Sequence, residues 1–270
     1  MSTARPGSRH PARRPPAALV ILGCIGLAWF VVPLVALVAR TPWSALPRIL
    51  GSEIVSDALS LSLVTSVAAT AVAAVLGIPL AWLMARVEFP GRALVRGLVT
   101  LPLVLPPVVG GAALLFALGR RGLVGEAISQ ATGLVLPFST WGVIVANVFV
   151  AMPFLVITVE GALRNLDSRY EGAAATLGAG RWTVLRRVTV PMIGPSVVAG
   201  LVLCWARALG EFGATITFAG NLPGRTQTLP LAVFVALESD RDAAVALSLV
   251  MVAVSLVVLI VLRERWWKAL

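Results

Sequence analysis

The sequence predicts an all-α protein embedded in a membrane, and three observations carry that reading. Of 270 residues, 59% are hydrophobic and 13% are charged, about half the charged share of an ordinary soluble domain. The mean hydropathy is +0.95, which leaves more apolar side chains than a soluble core takes up. Apolar runs recur at roughly 17–39, 58–85, 97–118, 140–159, 193–218 and 243–262. Each reaches the ~20 residues that let a helix cross a ~30 Å hydrocarbon layer.

Backbone groups in lipid must bond within their own segment, so these runs predict helices. No period-2 alternation suggests an outer-membrane barrel. Six spans place both termini on one side. The segments 1–16, 86–96, 160–192 and 263–270 hold 15 Arg or Lys, whereas 40–57, 119–139 and 219–242 hold 6. The positive-inside rule then puts both termini in the cytoplasm. The net charge of +10 belongs to this topology, because the arginines sit at the edges of apolar runs. No nucleic-acid partner is expected.

Several chemistries are excluded. The single His, His10, lies in a polar tail, so no His-based metal site or proton relay is available. Cys24 and Cys204 lie inside apolar runs and make no disulfide framework. The only Lys, Lys268, is flanked by Trp267 and Ala269, so the chain has no G-x-x-x-x-G-K-[ST] phosphate loop. No cofactor, metal site or catalytic residue is predicted.

Along the chain, residues 1–16 form a tail carrying Arg5, Arg9, Arg13 and Arg14. The 23-residue run that follows exceeds a secretory signal core and lacks a clear small-x-small cleavage site. It predicts an uncleaved first helix, which with its outer loop covers 17–54. In the spans that follow, small residues such as Ala69 and Ala73, like Gly23 and Gly26 in the first, let helices pack closely. Pro79, Pro102, Pro106, Pro107 and Pro153 predict kinks or interruptions. The run 101–107, with three prolines, suits a bundle with an internal path better than a plain anchor.

The 33-residue segment 160–192 is the informative loop. Asp167 or Ser168 can cap a short helix whose first turn holds Glu171. Ala173 to Ala175 favour helix, and Gly178 and Gly180 can end it sharply. A second short helix follows, with Trp182, Leu185 and Val188 at helical spacing and Arg181, Arg186 and Arg187 on its wet side. Pro191 marks a break before the fifth span. Such a hairpin is either a docking knob for a cytoplasmic partner or an interfacial element held on anionic lipid by its arginines.

Here the sequence resembles the permeases of binding-protein-dependent ABC importers, whose loop reads E-A-A-x3-G-x9-I-x-L-P. Ala173, Ala174 and Gly178 match, and Val188, Val190 and Pro191 stand in the last positions. Gly172 replaces the motif's Glu, with Glu171 one residue earlier. The resemblance covers about 55–262 and implies a six-helix type I importer bundle, N-in and C-in, in a dimer of permeases. It also implies that Glu171, Gly172, Ala173, Ala174, Leu177, Gly178, Val188, Val190 and Pro191 belong to a loop that inserts into a separate ATPase subunit, present in two copies. Residues 263–270 would form a cytoplasmic tail.

The fifth span holds two charges, Arg207 and Glu211, each costing about 2.5–3.5 kcal/mol near mid-membrane. Four residues apart on a helix, they can pair. They either fix helix packing or line a path with Thr215 and Thr217 that helps an anion cross. The apolar run 229–237 is too short to span; it is re-entrant or lies on the outer surface. Pro223, Gly224 and Pro230 predict a defined turn there rather than a helix. The stretch 210–230 resembles molybdate importer permeases, and its Gly-Glu-Phe-Gly part is similar to sulfate and thiosulfate permeases. The resemblance implies molybdate as the carried ion, with tungstate, sulfate or thiosulfate as alternatives, a homodimer of permeases, and a periplasmic or lipid-anchored binding protein outside. An ion-gradient-driven secondary transporter would call for more intramembrane carboxylates than Glu211 alone. A membrane enzyme would need a nucleophile–base pair or metal ligands at depth.

Overall fold

The computed structural model describes residues 16–266. His10, Lys268 and the four arginines of the amino-terminal tail lie outside the described residues. Among those described, the chain is helical and carries no strand.

Two units are distinguished, Met1–Thr41 and Pro42–Leu270. The first holds one helix, α1 (Ala17–Ala39), which coincides with the first predicted span. Pro33 lies within it.

The second unit begins with α2 (Leu46–Leu50) and α3 (Glu53–Arg86). It continues through α4 (Arg92–Val104), α5 (Pro107–Leu118), α6 (Gly125–Thr132), α7 (Thr140–Asn165) and α8 (Ser168–Thr176). Then come α9 (Arg181–Val184), a π turn (Leu185–Thr189) and α10 (Val190–Leu209). Last are α11 (Gly213–Phe218), α12 (Leu229–Ser239) and α13 (Arg241–Trp266). By length and composition, Ala17–Ala39, Glu53–Arg86, Thr140–Asn165 and Arg181–Leu209 can cross a membrane.

The core of the second unit is a three-helix contact of α3, α7 and α10. Ala69, Ala73, Ala81 and Met84 meet Ala151, Leu155, Val156, Val159 and Leu163, and Ile193, Cys204 and Ala208 close the cluster. Lipid tails are as apolar as leucine, so close approach between small residues, rather than escape from water, holds such helices together. The expectation for Ala69 and Ala73 is met in this way.

The third predicted span is two helices. Leu105 precedes Pro106 and adopts φ −64°, ψ 136°, because a following proline disfavours the helical region. Pro107 then starts α5, where its missing N–H costs nothing. The fifth span is likewise interrupted between Leu209 and Gly213. The two half-helices after these breaks, α5 and α11, pack face to face. A Cβ on Gly111 would lie 2.7 Å from both the Ala214 carbonyl oxygen and Thr217 Cβ. Only a residue without a side chain permits that approach.

Three further expectations are corrected. α7 continues to Asn165, so Glu160, placed in the loop by its charge, is a helical residue only 4% exposed. It is neutralised by Arg96 and by Arg164, 3.6 Å away. Pro191 does not break the chain before the fifth span. The helix runs without interruption from Arg181 to Leu209, and the widened π turn just before Pro191 accommodates its ring and missing N–H. The run 229–237 is helical, because Pro230 falls in the first turn of α12, where proline is tolerated. The expected turn is confined to Leu222–Gln227, where the Leu222 carbonyl accepts from the N–H groups of Arg225, Thr226 and Gln227. α12 is tied to α3 by the Leu229 N–H donating to Ser62 Oγ at 2.7 Å. Val55, Ala58, Ala232, Ala236, Ala244 and Leu247 pack around this join. The span 243–262 lies within α13, which continues to Trp266, past the expected boundary of the tail.

Candidate functional site

Two places concentrate polar chemistry on this apolar frame: the hairpin between α7 and α10, and the break between α10 and α11.

The hairpin begins where Asp167 caps α8, its carboxylate accepting the Arg169 N–H at 2.9 Å. α8 closes in a Schellman arrangement. The Ala179 N–H donates to Ala174 O at 3.1 Å and the Gly178 N–H to Ala175 O at 3.0 Å. Gly178 sits at φ +83°, a conformation that favours glycine. Gly180, expected to share in ending α8, instead precedes α9 in an extended conformation.

The sides of α8 differ. Glu171 turns inward: its Oε1 accepts from Arg86 Nη2 at 3.1 Å and from Thr189 Oγ1 at 2.7 Å. Gly172 and Ala173 face outward, Ala174 is half-buried, and a Cβ on Gly172 would meet nothing within 4 Å. At the tip Leu177 is 89% exposed, and Trp182 beyond it is 61% exposed beneath the Arg186 guanidinium, 4.6 Å from the ring centre. Val188 is half-buried in the π turn, and Val190 and Pro191 are exposed at the start of α10. An open groove of about 640 Å³ runs between this hairpin and the end of α3, lined by Trp82, Arg86, Glu171, Arg181, Trp182 and Leu185 among others.

At the second place, Arg207 Nη2 lies 2.7 Å from Glu211 Oε2. Glu211 is in the break, and its Oε1 accepts the Ala214 N–H at 2.8 Å, which caps α11. Its side chain is 1% exposed, against 29% for Arg207. Thr215 is fully enclosed, and the half-buried Thr217 donates its hydroxyl to Gly213 O at 2.8 Å. Of the four side chains expected on a path, Arg207 is the charged group that retains access to open space. Phe212 and Phe234 pack beside the break, with centroids 5.2 Å apart and ring planes tilted by 52°.

Some groups in these places carried no local signal. Arg86 reads as a topological cation, and its partner Glu171 is 85 residues away. Thr189 reads as one more residue of a basic helix. The Trp205 indole donating to Ser66 Oγ at 3.0 Å joins α10 to α3 across 139 residues.

Long apolar helices, two predicted spans broken inside the apolar region and an exposed hairpin together define a multi-pass membrane protein built for transport rather than anchoring. The chain belongs to the family described as the binding-protein-dependent transport system inner membrane component, which it matches over residues 77–266. It is similar to the molybdenum transport system permease protein ModB of Mycobacterium tuberculosis, 46% identical over 258 residues, covering 95% of this chain and 97% of that protein. It is also similar to ModB of Escherichia coli K12, 41% identical over 210 residues, covering 78% and 92%. Among solved structures it resembles a bacterial alginate ABC transporter in complex with an alginate pentasaccharide-bound periplasmic protein. The TM-score there is 0.74 at 21% identity, covering 92% and 93%, and this likeness concerns the fold.

Proposed function

We propose that this chain is the permease subunit of an ATP-driven, binding-protein-dependent importer that carries molybdate across the cytoplasmic membrane. The observation that carries the reading is the similarity to molybdenum permeases along nearly their whole length. The exposed hairpin supports it as the surface for a separate ATPase chain, one copy per permease of a homodimer. In this reading six spans leave both termini and the hairpin inside, and a periplasmic or lipid-anchored binding protein docks outside. Hydrolysis closes the ATPase pair, the hairpin carries that closure into α3, α7 and α10, and the bundle changes the side to which it opens. Arg207 offers positive charge to the passing oxyanion, and Thr215, enclosed, and Thr217 lie in the half-helix behind it.

The test is uptake of labelled molybdate by proteoliposomes holding the permease, the ATPase and the binding protein, against a large excess of sulfate. Uptake that needs both ATP and the binding protein and survives the sulfate supports the reading. Competition by sulfate would transfer the assignment to a sulfate carrier. Uptake by this chain alone without ATP would replace it with a secondary transporter.

A further inference from the structure

We propose that Glu171 is the residue that fastens the hairpin to the transmembrane core, a positioning residue for energy coupling rather than a contact for the ATPase. The inference rests on the proposed function and deepens it.

One carboxylate oxygen gathers three elements. Glu171 belongs to α8, Arg86 is the last residue of α3, and Thr189 closes the π turn that leads into α10. Thr189 is 2% exposed, and the side chains of Arg86 and Glu171 are each about three-quarters enclosed. Bonds of this kind, with one or both partners charged, are shorter and stronger than neutral ones. α8 also packs on α9 and the π turn, and the carboxylate adds the tie to α3. α3 and α10 in turn pack on α7 through the three-helix core.

The geometry separates this anchor from the docking side. Successive helix residues point about 100° apart, so Glu171 faces the core while Gly172 and Leu177 face outward. The motif's acidic position is the outward one, and in this chain it holds Gly172. Glu171 is therefore not that acid displaced by one residue. It acts from a different face of α8, about 100° round the helix, where it converts a push on the tip into displacement of α3 and α10 together.

The measurement is molybdate taken up per ATP hydrolysed, in the reconstituted complex of permease, ATPase and binding protein. Glu171→Gln keeps the shape and removes the charge. The ratio is expected to fall at least about five-fold, the lower range of site-to-site coupling. The exchange Arg86→Glu with Glu171→Arg is expected to recover most of it. A simple loss of structure lowers uptake and hydrolysis together and leaves the ratio unmoved. An unchanged ratio, or loss of ATPase co-purification in Glu171→Gln, overturns the proposal; the second result would make Glu171 a docking contact. If the Glu171→Gln permease does not fold and cannot be purified at all, Thr189→Val keeps the ion pair, removes one bond and carries the same test, with an unchanged ratio again overturning it. Absence of ATP-dependent uptake by the wild-type complex is a different failure, because it sinks the functional reading itself.

Discussion

Arg207 and Glu211 form a 2.7 Å ion pair at the interruption between α10 and α11, and Glu211 simultaneously caps the half-helix beyond it. The two roles are unequal. The carboxylate is enclosed and holds local structure, while the guanidinium keeps an open side. Removing Arg207 strands the enclosed Glu211 carboxylate, and an uncompensated buried charge costs about 3–5 kcal/mol.

Arg207→Ala is expected to abolish most molybdate uptake and to leave ATPase co-purification intact. The double variant Arg207→Ala with Glu211→Ala removes the stranded charge. It should regain part of the thermal stability of the purified protein without regaining uptake. Wild-type uptake in either variant removes Arg207 from the path.

Gly111→Ala is expected to force α5 away from α11, because the new methyl meets a carbonyl oxygen and a Cβ at 2.7 Å. Overpacking of this kind costs about 1–3 kcal/mol. Gly97→Ala, where nothing lies within 4 Å, is the control. Thermal unfolding in detergent compares them. Equal midpoints would mean that the two half-helices do not need their close contact.

On the outward side of the hairpin, Leu177→Asp is expected to weaken ATPase binding by about 2 kcal/mol, roughly thirty-fold, as loss of an apolar anchor does. Gly172→Glu restores the motif's acid in open space and adds up to about 1 kcal/mol of helix preference. It should leave the fold unchanged and ATPase binding at least as tight. Titration of purified ATPase onto permease in nanodiscs reads both, and unaltered binding in Leu177→Asp would place the interface elsewhere.

Ser62→Ala removes the acceptor for the Leu229 N–H and leaves a buried donor unpaired, at about 1–3 kcal/mol. The start of α12 should loosen, exposing Arg225 to faster cleavage by trypsin added from the outer side. Cleavage at the wild-type rate would show that α12 is held by its packing on α13 and α3 alone.

The helices were legible because apolar length is written locally. Pro106, Pro107 and Gly178 also announced their turns, since each restricts or frees its own backbone. Glu160 misled because a charge looks like the end of a span until its arginines are known, and Arg96 lies 64 residues away. Pro230 misled because a proline in the first turn of a helix and one in a turn look alike. Glu171 was noticed for its position near a motif, but its direction depends on Arg86 and Thr189, neither of which a local pattern selects.

The unbroken helical stretch from Arg181 to Leu209 has 29 residues, so at ~1.5 Å per residue it is a rod on the order of 40 Å long. One end belongs to the hairpin, and Arg207 sits in the last turn of the other. A tilt of about 5° about either end would sweep the opposite one through some 3–4 Å by that same length, comparable to the diameter of a small ion. The two places rich in polar chemistry are thus the ends of a single lever.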